Sequence, residues 1–170
     1  MSNQIQVLKT KKNGAGFTLI EVMVVVALMG IMAALSIVSL ESGRIERELE
    51  ANAREFVGIV REAQNYALTG RQIGGNTACS FSVVWAASTY SFRYTPSGNC
   101  AASPTPIASY ALKNGVAFSN TNALSFSLPH AALDFNTGNR SATFTKQSSS
   151  YVVCIYADGR ISDQRGAACP

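Results

Sequence analysis

The stretch that decides the fold is Gly16-Phe17-Thr18-Leu19-Ile20-Glu21, followed over residues 22–35 by VMVVVALMGIMAAL, which holds no polar side chain. Residues 17–40 are interrupted only by Thr18, Glu21, Gly30, Ser36 and Ser39. A helix of that length reaches ~36 Å at ~1.5 Å per residue, enough to cross a bilayer core of ~30 Å with some tilt. Glu21 breaks the pattern. A carboxylate in hydrocarbon costs ~2.5–3.5 kcal/mol at a helix centre and less near an end, so an acid just inside the run predicts a function and a partner.

Upstream, residues 1–16 are polar, carry Lys9, Lys11 and Lys12 with no acid, and end in Gly14-Ala15-Gly16. This is the composition of a targeting leader, not of a folded element. The apolar run is longer than the ~7–15 residues of a secretory signal core, and Ala34-Leu35-Ser36 is a weak cleavage site. The formal net charge of the 170 residues is +4, and the three leader lysines account for all but +1 of it. Those lysines suit the cytoplasmic side of a membrane, and what remains gives little support for nucleic-acid binding.

Downstream, Ile45, Leu49, Ala53, Phe56, Val60, Ala63 and Ala67 recur every three or four positions, and the opposite face carries Arg44, Arg47, Glu48, Arg54, Glu55, Arg61 and Glu62. That is one apolar stripe on a helix. No proline occurs before Pro96, so one helix is expected from residue 17 to 68, ending at Gly70. Beyond Gly74-Gly75 the period changes to two. Cys79, Phe81, Val83 and Trp85, then Tyr90, Phe92 and Tyr94, read as a hairpin; residues 96–106 read as a loop. Later strands are expected at 116–118, 124–128, 133–135, 142–145 and 151–157, with turns at Asn114-Gly115 and Asp158-Gly159. A helix followed by strands predicts an α+β domain. The expected divisions are 1–16 leader, 17–40 transmembrane or filament-core helix, 41–70 amphipathic helix, and 71–170 β-rich domain.

Cys79, Cys100, Cys154 and Cys169 all follow the apolar run, as befits an exported domain that uses disulfides to supplement a small core. Four cysteines permit three pairings; Cys79–Cys100 and Cys154–Cys169 are favoured because each closes a short loop. There is no C-x-x-C and the single histidine is His130, which argues against zinc. No carboxylate pair, nucleophile–base set or phosphate loop is evident, so no enzyme, cofactor or metal is expected.

Gly16 to Glu21 with the run behind it closely resembles the amino terminus of type IV pilins and pseudopilins. The resemblance implies the pilin lollipop fold. It implies cleavage between Gly16 and Phe17 by a prepilin peptidase, N-methylation of Phe17, and assembly through Glu21 and the Phe17 amino group of a neighbouring subunit. The implied partners are other pilin or pseudopilin subunits, the peptidase, an inner-membrane assembly platform and, before assembly, membrane lipid. The implied location is the cytoplasmic membrane, single-pass with the domain outside, then a periplasmic or surface filament.

Gly30 matches a glycine many pilins carry here, whereas Val38 stands where a proline often follows. Residues 133–140 and 151–161 resemble two signatures of the GspH/FimT/FimU minor-pilin branch. The implied function is a minor pilin of a type IV pilus or pilus-like filament. The alternatives are a GspH-like pseudopilin of a type II secretion system and a FimT-like DNA-uptake pilin. For the last, Gly159-Arg160-Ile161-Ser162 lacks the second arginine of that motif, leaving Arg140, Arg160 and Arg165 as possible phosphate contacts.

Overall fold

The computed structural model describes residues 16–169, without the side chains of 35–40. The leader therefore lies outside the described residues. The described residues divide into two units, with the boundary between Leu40 and Glu41. In the first, every described side chain from Phe17 to Met32 is exposed. In the second, residues 41–69 of α1 (Leu19–Thr69) lie against nine strands.

The strands form two antiparallel sheets. One has the order β3 (Thr105–Ala111), β2 (Thr89–Pro96), β1 (Ala78–Ala86), β5 (Asn122–Ser127), β6 (Ala132–Leu133). The other has the order β4 (Ala117–Phe118), β7 (Asn139–Lys146), β8 (Ser149–Tyr156), β9 (Ile161–Arg165). The expected α+β class holds. The stripe from Ile45 to Ala67 is buried at every position, joined by Val57 and Asn52.

Phe56 is the centre of the core. Its ring meets Trp85 and Tyr90 of the first sheet and Phe118 and Phe144 of the second, all edge-on at 5.3–5.6 Å. Edge-to-face contact places the positive ring edge against a negative face, which favours this geometry over a sandwich. Asn52, also buried, donates to the Glu48 carbonyl and accepts from the Lys113 amide at 2.8 Å, tying the helix to the β3–β4 connection.

Two expectations need correction. Residues 105–111 form strand β3 instead of extending the loop; Pro106 is tolerated because β3 is a sheet edge, where a missing N–H breaks no ladder bond. In β1 the alternation slips: a bulge between Ala78 and Ser80 puts Ala78 in the core and turns Cys79 out of phase with Phe81, Val83 and Trp85. The turns fall where expected. Asn114 and Gly115 both have positive φ, 59° and 71°, and Gly159, at φ 81°, sits with its α-carbon against the Gln64 side chain.

Candidate assembly site

The amino-terminal site is built by a helix cap. Thr18 precedes α1, and its Oγ1 accepts from the Glu21 amide at 3.3 Å, while its carbonyl accepts from the same amide at 3.1 Å. Thr18-x-x-Glu21 is the sequence pattern of a capping box, the local signal that marks this helix start. The cap leaves Gly16 and Phe17 outside the helix and fully accessible, with Phe17 81% exposed. Glu21 falls in the first helical turn, where a carboxylate is favoured by the positive end of the helix dipole. With Phe17, Val22, Val25 and Val26 it lines one shallow groove. Among the described residues no ion pair includes Glu21. The arrangement is a carboxylate and an aromatic residue, side by side at the head of a stripe of exposed valines.

The described residues contain no helix long and apolar enough to cross a membrane. The apolar run expected to do so continues through 35–40, whose side chains lie outside the described residues.

Both favoured cysteine pairs are joined, Cys79–Cys100 and Cys154–Cys169. The second staples the tail onto β8. The Thr143 hydroxyl donates to the Ala167 carbonyl and Gln164 Nε2 to the Ala168 carbonyl, so residues 166–169 cover the outward side of the four-stranded sheet over Val152.

The three candidate phosphate contacts do not form one cradle. Arg140 lies opposite Ile155, which lies opposite Ile161, so Arg140 and Arg160 share one end of the sheet; Arg165 lies opposite Tyr151. The five-residue span of β9 separates the two ends by ~16 Å at ~3.3 Å per residue. Each arginine is also engaged. Arg140 meets Asp134 at 2.7 Å and the Ala123 carbonyl, Arg165 meets Glu46 at 2.9 Å, and Arg160 lies over the Tyr156 ring and 3.9 Å from Asp158. His130 is exposed.

With this geometry in place, residues 11–37 match a family profile described as the prokaryotic N-terminal methylation motif. Its amino-terminal segment carries the motif shared by type IV pilins and pseudopilins. It is similar to the type II secretion system protein H of Aeromonas hydrophila, 41% identical over 61 residues, which are 35% of this chain and 33% of that protein. The pilin-like chain thus matches about a third of that relative's length. No solved structure matches it significantly.

Proposed function

We propose that this chain is a structural subunit, a minor pilin, of a type IV pilus or pilus-like filament. The observation that carries the reading is the methylation motif over residues 11–37, set at the head of a helix exposed from Phe17 to Met32. An exposed apolar helix needs lipid or other helices around it, and a filament core supplies the second after the membrane has supplied the first.

In this reading a prepilin peptidase cuts between Gly16 and Phe17, and Phe17 is methylated. The cap at Thr18 keeps the scissile peptide outside the helix, in a form a peptidase can bind. Glu21 then meets the Phe17 amino group of the next subunit, each charge neutralising a partner that would be costly alone in apolar surroundings. An inner-membrane platform adds subunits, and the domain of residues 41–169 faces outward.

The second reading is a pseudopilin of a type II secretion system, favoured by the likeness to the Aeromonas protein H. Quantitative mass spectrometry separates the two. A peptide beginning with methylated Phe17 in filaments sheared from the surface is the expected result. The same peptide confined to membranes selects the secretion reading. An intact leader overturns both.

A further inference from the structure

The two sheets have four edges, β3 and β6 in one and β4 and β9 in the other. Three of these edges are blunted. β4 and β6 are only two residues long. β9 carries Asp163 and Arg165, and the tail held by Cys154–Cys169 folds back to meet its Gln164. Short strands, charges and covering segments keep an edge from pairing with another chain. β3 is the exception. Its first half is guarded by Pro106 and by the bulge opposite Phe92 and Arg93. Its second half, from Ala108 to Ala111, has neither guard, and no charged residue occurs between Arg93 and Lys113.

The hydrogen-bond phase shows what this half presents. The Leu112 amide donates to the Ser88 carbonyl at 2.8 Å. The register runs on from that pair, with Ala111 opposite Thr89, Tyr110 opposite Tyr90, Ser109 opposite Ser91 and Ala108 opposite Phe92. Bonded and unbonded pairs alternate along an antiparallel ladder. Leu112, Tyr110 and Ala108 therefore face β2, and the N–H and C=O groups of Ser109 and Ala111 face away from it. Both residues are exposed, whereas Tyr110 is half-buried and stacked on Tyr90 at 5.0 Å. Among the described residues no turn, loop or cap bond reaches either backbone. A row of donors and acceptors thus stands on an open edge, the pattern that an added strand completes.

The outward side of β3 adjoins a shallow cavity of about 430 Å³, whose lining includes Val84, Ala86, Thr89, Ser91, Arg93 and Ser109. Arg93 is the charged residue of that lining, and its Nε is fixed by donation to Ser91 Oγ at 2.8 Å. A strand added to β3 lies ~4.8 Å from it and about twice that from β2. Its residue opposite Ser109 shares the same side of the sheet. The small Ser109 side chain lets that residue lean across β3 toward Arg93, where a carboxylate meets the guanidinium. The residues flanking it fall on the Tyr110 side, which favours apolar ones. A second copy paired through its own β3 offers no acid, since that stretch carries none.

We propose that the edge at Ser109 and Ala111 takes an extended strand of a different polypeptide, one with an acidic residue over Ser109 between uncharged, β-branched neighbours. Main-chain bonds hold the strand and Arg93 selects it. The site lies wholly in the strand domain, so the proposal goes beyond the filament reading and is the same for a pilus and for a secretion filament.

The test titrates a fluorescein-labelled peptide, Thr-Val-Glu-Val-Thr, into the full chain in detergent and follows its anisotropy, with Thr-Val-Lys-Val-Thr as the counterpart. The glutamate peptide is expected to bind about tenfold more tightly. At saturation, amide exchange at Ser109 and Ala111 should slow about tenfold while that of Tyr110, already bonded to β2, stays as it was. Ser109→Pro and Ala111→Pro each remove an outward N–H without breaking a bond to β2, and each should abolish binding. Arg93→Gln should keep binding and erase the preference for glutamate. Non-reducing electrophoresis confirms that every variant retains both disulfides. No binding at millimolar peptide, binding that survives both prolines, or a lysine peptide that binds as well as the glutamate one overturns the proposal. So does slow exchange at Ser109 and Ala111 in the peptide-free chain in a particle of twice the mass, because a second copy then holds the edge.

Discussion

Lys146, at the end of β7, meets Glu48 of the helix at 2.5 Å across 98 positions of sequence, and both side chains are only 15% exposed. The same Glu48 accepts from Arg44, and Lys146 also donates to the Asn114 carbonyl at 2.6 Å. One ion pair thus joins the helix, the second sheet and the Asn114-Gly115 turn.

The hydrogen bond from Lys146, and the charges of Lys146 and Arg44, hold the Glu48 carboxyl below its ordinary value of 4.5 against the opposing effect of burial. A depressed carboxylate contributes stability that is present above its unfolded pKa and is lost as pH falls through the folded one. Glu48→Gln is therefore expected to lower Tm at pH 7, and the difference from the unmodified protein should shrink progressively as pH falls below the ordinary glutamate range. Thermal melts across pH 3–7 check this; a difference independent of pH would refute it.

Phe56→Ala removes the one ring that touches four aromatic side chains in two sheets. Large-to-small changes of a fully buried phenylalanine cost about 3–5 kcal/mol. Phe56→Leu is expected to cost clearly less, because it keeps most of the volume while losing the edge-on contacts. Denaturant unfolding of both variants measures the two contributions.

The helix half of this core was legible in the sequence. All seven stripe residues from Ile45 to Ala67 are buried, because a 3.6-residue period against a single domain leaves no other face to choose. The methylation motif and both cysteine pairs were legible for comparable reasons, a distinctive local pattern and short loops. The division into two sheets was not, because it is set by contacts such as Ala123–Arg140 and Asn120–Thr143 that carry no local signature. Edge strand β3 escaped because Pro104 and Pro106 read as loop residues, and a proline inside a run argues against a strand unless it lies at a sheet edge.

Cys154→Ser with Cys169→Ser should release the tail from the outward side of the second sheet. The bridge closes a separation of 15 residues, worth about 3 kcal/mol in the chain-entropy description. Residues 166–169 would lose their anchor and Val152, now buried, would become accessible. Faster amide exchange at Val152 and Gln164, with exchange at Phe56 little changed, is the expected signature.

Tyr151 donates to Asp163 at 2.7 Å, and burial together with that hydrogen bond pushes its phenol up to about 12. Burial also raises Tyr90. A raised pKa means that the folded state holds the proton more tightly, so this stability is complete below the ordinary value near 10 and is lost as pH climbs toward 12. Absorbance at ~295 nm, where phenolate absorbs, should therefore show these two tyrosines ionising with unfolding, later than an exposed tyrosine. Asp163→Ala should bring the Tyr151 transition to lower pH.

Arg140 is expected to matter for stability and not for DNA. It lies on β7 of the second sheet yet reaches Asp134 and the Ala123 carbonyl beside β5 of the first, with its side chain 26% exposed. Hydrogen bonds to a charged group are worth about 1.5–3 kcal/mol when buried and less once water screens them, so Arg140→Ala should cost about 1 kcal/mol. Arg160, 67% exposed beside Asp158, should cost less than about 0.5 kcal/mol. If the arginines instead formed a phosphate site, each substitution would weaken binding of short duplex DNA at ~50 mM salt and flatten its salt dependence. Because Arg140 and Arg165 already hold carboxylates at 2.7 and 2.9 Å, binding would first have to break those pairs. We therefore expect no electrophoretic shift for the unmodified protein; a shift abolished by Arg160→Ala and Arg165→Ala would reverse that conclusion.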